Sequence, residues 1–252
     1  MLIKLTDISA AYNKDIVLSK VNLTVNKGDF VGIIGPNGGG KTTLLKIILG
    51  LIKPVSGRIE YAENLNIGYL PQQNDSDTLF PISVEDVVFS GLMGTGFNTK
   101  QKPVNNFNKL KKKYSNDCEE LLTKMQIADI RHKSLGELSG GQRQKTLLCR
   151  ALISKPDLLL LDEPNTYIDK NSEFELYKYL DEMSDVSSFL LVSHDIGSIT
   201  NHIKTIACVN KELYYHESNI ITEEVLSAYN CPIRLITHGT IPHTILKDHN
   251  HD

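Results

Sequence analysis

The feature that most constrains the fold is a glycine-rich segment between an apolar strand and an apolar helix. The residues GPNGGGKTT at 35–43 follow the run FVGII and open the helical pattern TTLLKIILG. This is the pattern G-x-x-x-x-G-K-[S/T], whose glycines let backbone N–H groups converge on phosphate oxygens at a helix N-terminus. Lys41 would then reach the β- and γ-phosphates, and the Thr42 hydroxyl would ligate magnesium. The alternative, a glycine-rich turn with an accidental lysine, is disfavoured by the flanking strand and helix, so a nucleoside triphosphate is the expected ligand. Its candidate binding residues are Gly35, Pro36, Asn37, Gly38, Gly39, Gly40, Lys41, Thr42 and Thr43.

Apolar runs bounded by turn residues predict an α/β fold class. Several have leucine cores without alternation, which is typical of strands buried on both faces of a mainly parallel sheet. Helical patterns alternate with them, as α/β domains require. Besides residues 30–35, the runs lie at 65–70, 157–162, 187–193 and 205–210, and the helical patterns at 41–49, 171–182 and 195–202.

Two stretches depart from that alternation. Residues 75–156 contain helical patterns at 83–91, 109–127 and 141–154 and no convincing strand, which predicts a helical subdomain inserted into the α/β core. The first thirty residues, together with GRIEYA at 57–62, favour short antiparallel strands packed beside that core.

Composition excludes several classes of protein. The formal charge of −3 gives no electrostatic footprint for nucleic acid, and the short basic run KLKKKY at 109–114 suits a solvated helix face. The amino-terminal residues do not resemble a signal peptide, and no apolar run approaches the roughly twenty residues of a membrane span. The four cysteines are scattered without a C-x-x-C pair, which favours reduced thiols. We therefore expect a soluble cytoplasmic protein unless another subunit holds it at a membrane.

A carboxylate pair follows the apolar run LLLLDEP at 158–164. Strand alternation would place Asp162 and Glu163 on opposite faces, so that they can serve different roles. Asp162 would hold magnesium through its water shell, and Glu163 would orient and polarise the attacking water. Two acids at a solvated strand end are the structural alternative, which a complete phosphate loop upstream makes the minor one.

A second helix start carries glycines in ELSGGQRQ at 137–144. A serine followed by two glycines can form an anion-binding helix N-terminus, or it can be an ordinary helix cap. Physical reasoning leaves both alternatives open, because one nucleotide does not need two such cradles.

The order GPNGGGKTT, YLPQQ, LSGGQ, LLLLDEP, LVSHD resembles the ATP-binding cassette (ABC) family from about residue 3 to 225. The resemblance implies a P-loop NTPase (RecA-like) core with an antiparallel β subdomain, formed by 1–74 and 157–225. It also implies a helical subdomain at 75–156 and leaves 226–252 as a C-terminal extension. In such a family the second cradle serves a head-to-tail dimer, in which the signature segment closes on the γ-phosphate held by the other copy. That segment is Ser139, Gly140, Gly141 and Gln142.

Further site residues are implied by the same resemblance. Tyr12 stands where the family has an aromatic ring that stacks on adenine, although a strand-surface tyrosine is the plain alternative. Gln72 matches the residue that contacts magnesium and the attacking water, and His194 matches the switch histidine that contacts the γ-phosphate. Asp169 matches an aspartate that crosses to the partner copy. The segment NTYID departs from the family there, because the larger Tyr167 precedes that aspartate, yet we expect hydrolysis to be retained.

The resemblance also implies partners. A single cassette without membrane spans is usually the ATPase of a transporter, on the cytoplasmic face, beside a second copy, an integral permease and, indirectly, an extracytoplasmic metal-binding protein. The segments CPIRLITHGTIPH at 231–243 and SVEDVVFSGLMG at 83–94 resemble the zinc and manganese uptake group. Import of chelated iron or cobalamin is the alternative cargo. A soluble ABC ATPase of translation or repair and a regulatory nucleotide-binding module are the alternative classes.

The C-terminal tail holds four of the eight histidines, His238, His243, His249 and His251. The last two are flanked by Asp248 and Asp252, which would make an exposed zinc chelate. A solvated tail, or an extension that docks on the core, is the alternative, because chain termini are usually poorly ordered.

Overall fold

The computed structural model describes residues 1–72, 81–93, 107–166, 169–194, 196–216, 233–237 and 242–246. Tyr167 and the tail histidines His238, His249 and His251 lie outside these residues. Contacts between Cα atoms divide the chain into two compact units, Met1–Ala62 with Ser188–Asp252, and Glu63–Ser187. We call them the first and the second unit.

The secondary structure alternates strands and helices. The strands are β1 (Ile3–Tyr12), β2 (Asp15–Val25), β3 (Phe30–Ile34), β4 (Ser56–Tyr61), β5 (Ile67–Leu70), β6 (Leu158–Asp162), β7 (Ser188–Val192), β8 (Thr205–Asn210), β9 (Glu212–His216), β10 (Ile233–Thr237) and β11 (Pro242–Leu246). The helices are α1 (Lys41–Ile48), α2 (Val84–Ser90), α3 (Phe107–Lys113), α4 (Ser115–Lys124), α5 (Gly140–Leu152), α6 (Lys170–Met183) and α7 (Ile196–Ile199).

Three strands of the first unit form the predicted antiparallel sheet, in the order β2-β1-β4. Along β1 the side chains of Ile3, Leu5 and Ile8 are buried, whereas Lys4 and Asp7 are exposed. One face of this sheet therefore packs on apolar side chains and the other meets solvent, as expected for a half-buried antiparallel sheet.

The first unit also contains parallel strands. β3 pairs in parallel with β7 and β8, and β9 joins β8 in antiparallel orientation. All residues of β3 and β7 are buried, and the rings of Phe30 and Phe189 lie 4.8 Å apart. Burial on both faces explains why these runs lack alternation, and it confirms the α/β fold class.

In the second unit β5 and β6 pair in parallel, and the described residues between 81 and 152 are helices and turns. There the strand-like pairing is limited to one bridge, Ser83 with Ser134. The helix predicted over 109–127 is wrong in detail, because the chain forms α3 and α4 with a break at Tyr114. Serine, asparagine and aspartate follow at 115–117, and these residues favour a helix start over a helix interior. α4 ends before Gln126, which has a left-handed φ of 57°.

Among the described residues, no helix combines the length and the apolar character that crossing a bilayer requires.

Candidate functional site

The glycine-rich loop of the first unit connects β3 to α1. The Lys41 side chain is 6% exposed, and its Nζ donates hydrogen bonds to the carbonyl oxygens of Gly35 (3.0 Å) and Pro36 (2.9 Å). The loop therefore curls around its own lysine, which holds the ammonium group at the start of the helix.

The β8–β9 hairpin supports this loop from behind. The Lys211 N–H donates to the Gly39 carbonyl at 3.1 Å, and a Cβ added to Gly35 would lie 2.0 Å from the Val209 carbonyl oxygen. Gly35 must therefore be glycine for reasons of space as well as backbone angle, with φ at 148°. Gly38 differs, because φ is 75° but no atom lies within 4 Å of an added Cβ.

The N-terminus of α1 suits a phosphate group. Its N-cap is Gly40, which makes no side-chain capping bond, and no acidic residue occupies the first turn. Backbone N–H groups and the positive end of the helix dipole are thus presented without a competing carboxylate. Thr42 is half-buried and Thr43 is buried in this first turn. The loop, Lys41 and the helix start together fit the triphosphate of ATP.

Two further predicted residues lie in the first unit. His194 is exposed just beyond β7, and the Ser193 N–H donates to the Ile33 carbonyl at 3.2 Å. Because β3 and β7 are parallel neighbours, His194 emerges at the sheet edge where the phosphate loop begins. Tyr12 ends β1 with 48% of its surface exposed, so its ring can stack on a planar group.

The predicted carboxylates lie in the second unit at the end of β6. Asp162 is 1% exposed. The pKa of Tyr69 on the neighbouring strand β5 is raised mainly because Tyr69 is buried, and the negative charge of Asp162 raises it further. Glu163 has already left the strand, with a left-handed φ of 53°. A turn, rather than strand alternation, therefore separates the two side chains.

Gln72 is the partner that the fold brings to Glu163. Its Nε2 donates to Glu163 Oε2 at 2.8 Å, across 91 residues of sequence. The two residues follow neighbouring parallel strands, so both emerge at the same edge. An amide that donates to a carboxylate fixes its orientation, and a carboxylate can accept several hydrogen bonds, including from water.

The segment ELSGGQRQ begins α5 with a reciprocal cap. The Gln142 N–H donates to Ser139 Oγ (3.3 Å), and the Ser139 N–H donates to Gln142 Oε1 (3.1 Å). The segment therefore forms a helix cap within the chain, as the second alternative predicted. It leaves the anion-binding alternative open, because an accepting hydroxyl can still donate its own hydrogen.

Asp169 forms hydrogen bonds within its own unit. Its carboxylate accepts hydrogen bonds from the Ser172 N–H (3.0 Å) and from Ser172 Oγ (3.1 Å), so it caps α6. Asp169 therefore acts as a helix cap within its own chain. Its predicted contact with a partner copy stays a prediction.

Sequence reasoning missed Gln144 on α5. This side chain is 5% exposed, and its Nε2 donates to the Pro164 carbonyl, one residue after Glu163. A buried amide in the second turn of an amphipathic helix was the available signal, since buried amides need polar partners.

In the part of the chain that the structure describes, no group of three or more His, Cys, Asp or Glu residues is arranged to hold an ion, and Cys118, Cys149 and Cys208 are buried and form no disulfide there. Magnesium prefers oxygen donors, and the Thr42 hydroxyl and the buried Asp162 carboxylate are each donors of that kind.

Comparisons with known proteins show what the chain as a whole is similar to. A family model described as ABC transporter matches residues 18–166, more than half of the chain. The zinc uptake system ATP-binding protein ZurA of Listeria monocytogenes is 34% identical over 228 residues, which are 86% of each chain. The zinc import ATP-binding protein ZnuC of Pasteurella multocida is 35% identical over 215 residues, 84% of this chain and 74% of that protein.

Solved structures share the fold. A chain of an ABC transporter assigned to the metal-chelate type, in an inward-facing conformation, has a TM-score of 0.75 at 25% identity and covers 98% of this chain and 97% of that one. The ATP-binding cassette MJ0796, in a dimeric post-hydrolysis state with ADP and Pi, has a TM-score of 0.70 at 24% identity, covering 88% and 100%. The P-loop NTPase fold, the family match and the relatives along most of the chain lead to one conclusion: this chain belongs to the ABC transporter family and is an ATP-binding cassette ATPase.

Proposed function

We propose that the chain is the ATP-hydrolysing subunit of a zinc importer, working on the cytoplasmic face of a membrane through a separate permease. Residues 1–225 would form the cassette. The observation that supports hydrolysis is the hydrogen bond from Gln72 to Glu163, because it fixes the orientation of a carboxylate that can accept a proton from water. The observation that supports zinc is that the relatives from Listeria and Pasteurella are zinc uptake and zinc import ATP-binding proteins.

In the proposed mechanism the first unit binds the nucleotide. Loop N–H groups and Lys41 would bind the β- and γ-phosphates, with the ammonium group exchanging its contacts to Gly35 and Pro36 for phosphate oxygens. Tyr12 would stack on adenine, and His194 would contact the γ-phosphate. Bound magnesium would neutralise charge on the phosphates, held by Thr42, Asp162 and Gln72.

The carboxylate of Glu163 would accept a hydrogen bond from the attacking water and take up its proton as the oxygen bonds to the γ-phosphorus. The bond from the γ-phosphorus to the bridging oxygen then breaks, releasing ADP and phosphate. Gln72 keeps the carboxylate aimed, which lowers the entropic cost of reaching the reactive geometry.

A second copy would complete each site. Ser139, Gly140, Gly141 and Gln142 at the start of α5 would close on the γ-phosphate held by the partner copy, while Asp169 would approach it from the start of α6. The capped N-terminus of α5 supports this, because the cap holds the glycine N–H groups in a fixed direction.

The hydrolytic role is tested with Glu163→Gln. We expect kcat to fall on the order of 100-fold or more while ATP-dependent dimerisation persists, because the charge that polarises water is lost and the phosphate contacts remain. Glu175→Gln, a change at an exposed carboxylate on α6, is the matched control and should hydrolyse ATP at the parental rate. Hydrolysis by Glu163→Gln at the parental rate would remove Glu163 from the role of base.

The cargo is tested by reconstitution with the permease in vesicles. Zinc-loaded binding protein should stimulate ATP hydrolysis and zinc uptake more than manganese-loaded protein does. Stimulation only by a binding protein loaded with an iron chelate or cobalamin would favour the second candidate, which the likeness to a transporter of the metal-chelate type supports. ATP binding without turnover, even with the permease present, would favour a regulatory module.

A further inference from the structure

Gln144 links the signature helix to the turn that carries Glu163. It lies on α5, five residues after the capping Ser139, and its Nε2 donates to the Pro164 carbonyl. Both residues are buried. The opposite amide orientation would point Oε1 at a carbonyl oxygen, so donation from Nε2 is the arrangement that electrostatics allows.

The hydrogen bond to Pro164 uses the Nε2 end of the Gln144 amide. Among the described residues, Oε1 of Gln144 is buried without a hydrogen-bond partner. Leaving half of a buried amide unsatisfied costs free energy, so the residue is not explained by stability alone. The position of the Gln144 amide is explained if its role is to hold the Pro164 carbonyl.

The backbone next to Pro164 is strained. Glu163 has a φ of 53°, a left-handed conformation that is uncommon for residues other than glycine. The turn is held locally by Thr166, whose Oγ1 donates to the Glu163 carbonyl at 3.0 Å. Gln144 adds a contact from a different element, α5, directly after the strained residue.

A cavity of about 510 Å³ lies beside this contact, and Leu70, Gln144, Leu148 and Pro164 are among its lining residues. It is large enough for water to reach the Pro164 carbonyl if the amide is removed. Loss of the amide should therefore cost little stability, since water can satisfy the carbonyl. Water cannot, however, fix the distance between α5 and the turn.

From these contacts we infer that Gln144 is a positioning residue, which couples the placement of the signature helix to the placement of the Glu163 carboxylate. When the start of α5 is fixed by a second copy and its nucleotide, the amide transmits that placement to Pro164 and so to Glu163. The inference rests on the proposed role of Glu163 in hydrolysis.

Two substitutions test it in the reconstituted transporter. Gln144→Met keeps the length of the side chain without the donor, and Gln144→Glu keeps its shape but presents a carboxylate to the carbonyl. Both should lower kcat on the order of 10-fold with KM for ATP changed by less than about twofold, because a misplaced base slows chemistry without touching the phosphate loop. The urea unfolding midpoint of Gln144→Met should stay near the parental value, whereas the buried carboxylate of Gln144→Glu should lower it. Lys145→Met, at the next position of α5, is the control and should keep the parental kcat.

A double substitution separates this role from others. Measured in single turnover, Gln144→Met should add no further loss to Glu163→Gln, because residues acting as one unit are not additive. A parental kcat for Gln144→Met and Gln144→Glu, a loss of kcat in Gln144→Met that accompanies a lower unfolding midpoint of that variant, or a fully additive loss would each overturn the inference. Failure of the proposed function is a different result, in which Glu163→Gln alone hydrolyses ATP at the parental rate.

Discussion

Replacement of Gly35 by alanine should destabilise the first unit far more than the same change at Gly38. An ideal Cβ at Gly35 would lie 2.0 Å from the Val209 carbonyl oxygen, whereas real Cβ atoms essentially never approach closer than 3.0 Å. The loop or the strand must then move by about 1 Å. Neither can do so cheaply, because β3 and β8 are hydrogen-bonded to each other up to the pair Ile34 and Cys208.

The magnitude follows from two costs. Overpacking against a fixed backbone costs about 1–3 kcal/mol, and a positive φ adds about 1–2 kcal/mol for a residue with a Cβ. Gly35→Ala should therefore cost about 2–5 kcal/mol. Gly38→Ala carries only the second cost, about 1–2 kcal/mol, because no atom lies within 4 Å of the added Cβ.

Urea unfolding of the two variants measures the difference. The two variants differ by the overpacking cost of about 1–3 kcal/mol, so with a denaturant slope of about 3 kcal/mol per molar Gly35→Ala should unfold about 0.3–1 M earlier than Gly38→Ala. ATP should also stabilise Gly35→Ala less than Gly38→Ala, because a shift of the loop would displace the Gly35 carbonyl, which Lys41 Nζ contacts at 3.0 Å. Equal midpoints for the two variants would refute the argument that the β8–β9 hairpin limits the space behind the loop.

Three further predictions concern the lysine, the metal and a histidine. Lys41→Met should weaken ATP binding in calorimetry, because the ammonium group that now contacts Gly35 and Pro36 is lost; unchanged affinity would contradict its phosphate role. Removing magnesium with EDTA should abolish hydrolysis, and Thr42→Ala should raise the magnesium concentration needed to restore it, whereas an unchanged requirement would exclude Thr42 as a ligand. Burial lowers the pKa of His216 below 6.5, so the unfolded chain binds a proton more readily, and stability should fall as the pH drops from 6.5 through the folded pKa. His216→Gln should reduce the pH dependence of the unfolding free energy measured with urea in this range. An unchanged pH dependence would contradict the role of His216.

Contiguous motifs were predicted well from sequence. The phosphate loop occupies consecutive residues, so strand, glycines and helix specify one another locally. β3 and α1 begin at the predicted residues, Phe30 and Lys41, and the positive φ angles at Gly35 and Gly38 bear out the conformational need for glycine. The steric limit set by Val209 could not be read from sequence, because that residue is distant in the chain.

Helix boundaries in the second unit were predicted less well. A continuous pattern from 109 to 127 has the period of one helix. In the structure α3 ends before Tyr114, and α4 ends before Gln126. Periodicity reports which face is buried. It does not report where capping and backbone preferences of individual residues interrupt the helix.

By itself the sequence determined the α/β class, the phosphate-binding loop and the family, because each depends on residues adjacent in the chain or on the order of short motifs. Only the tertiary structure decided that Gln72 meets Glu163 at 2.8 Å, that Gln144 holds the Pro164 carbonyl, and that Asp169 caps its own helix. The pairing of Gln72 with Glu163 depends on strands β5 and β6 ending at one sheet edge, 91 residues apart in sequence. The physical reason is that a hydrogen bond needs its atoms within about 3 Å, and strand register and helix packing set that distance.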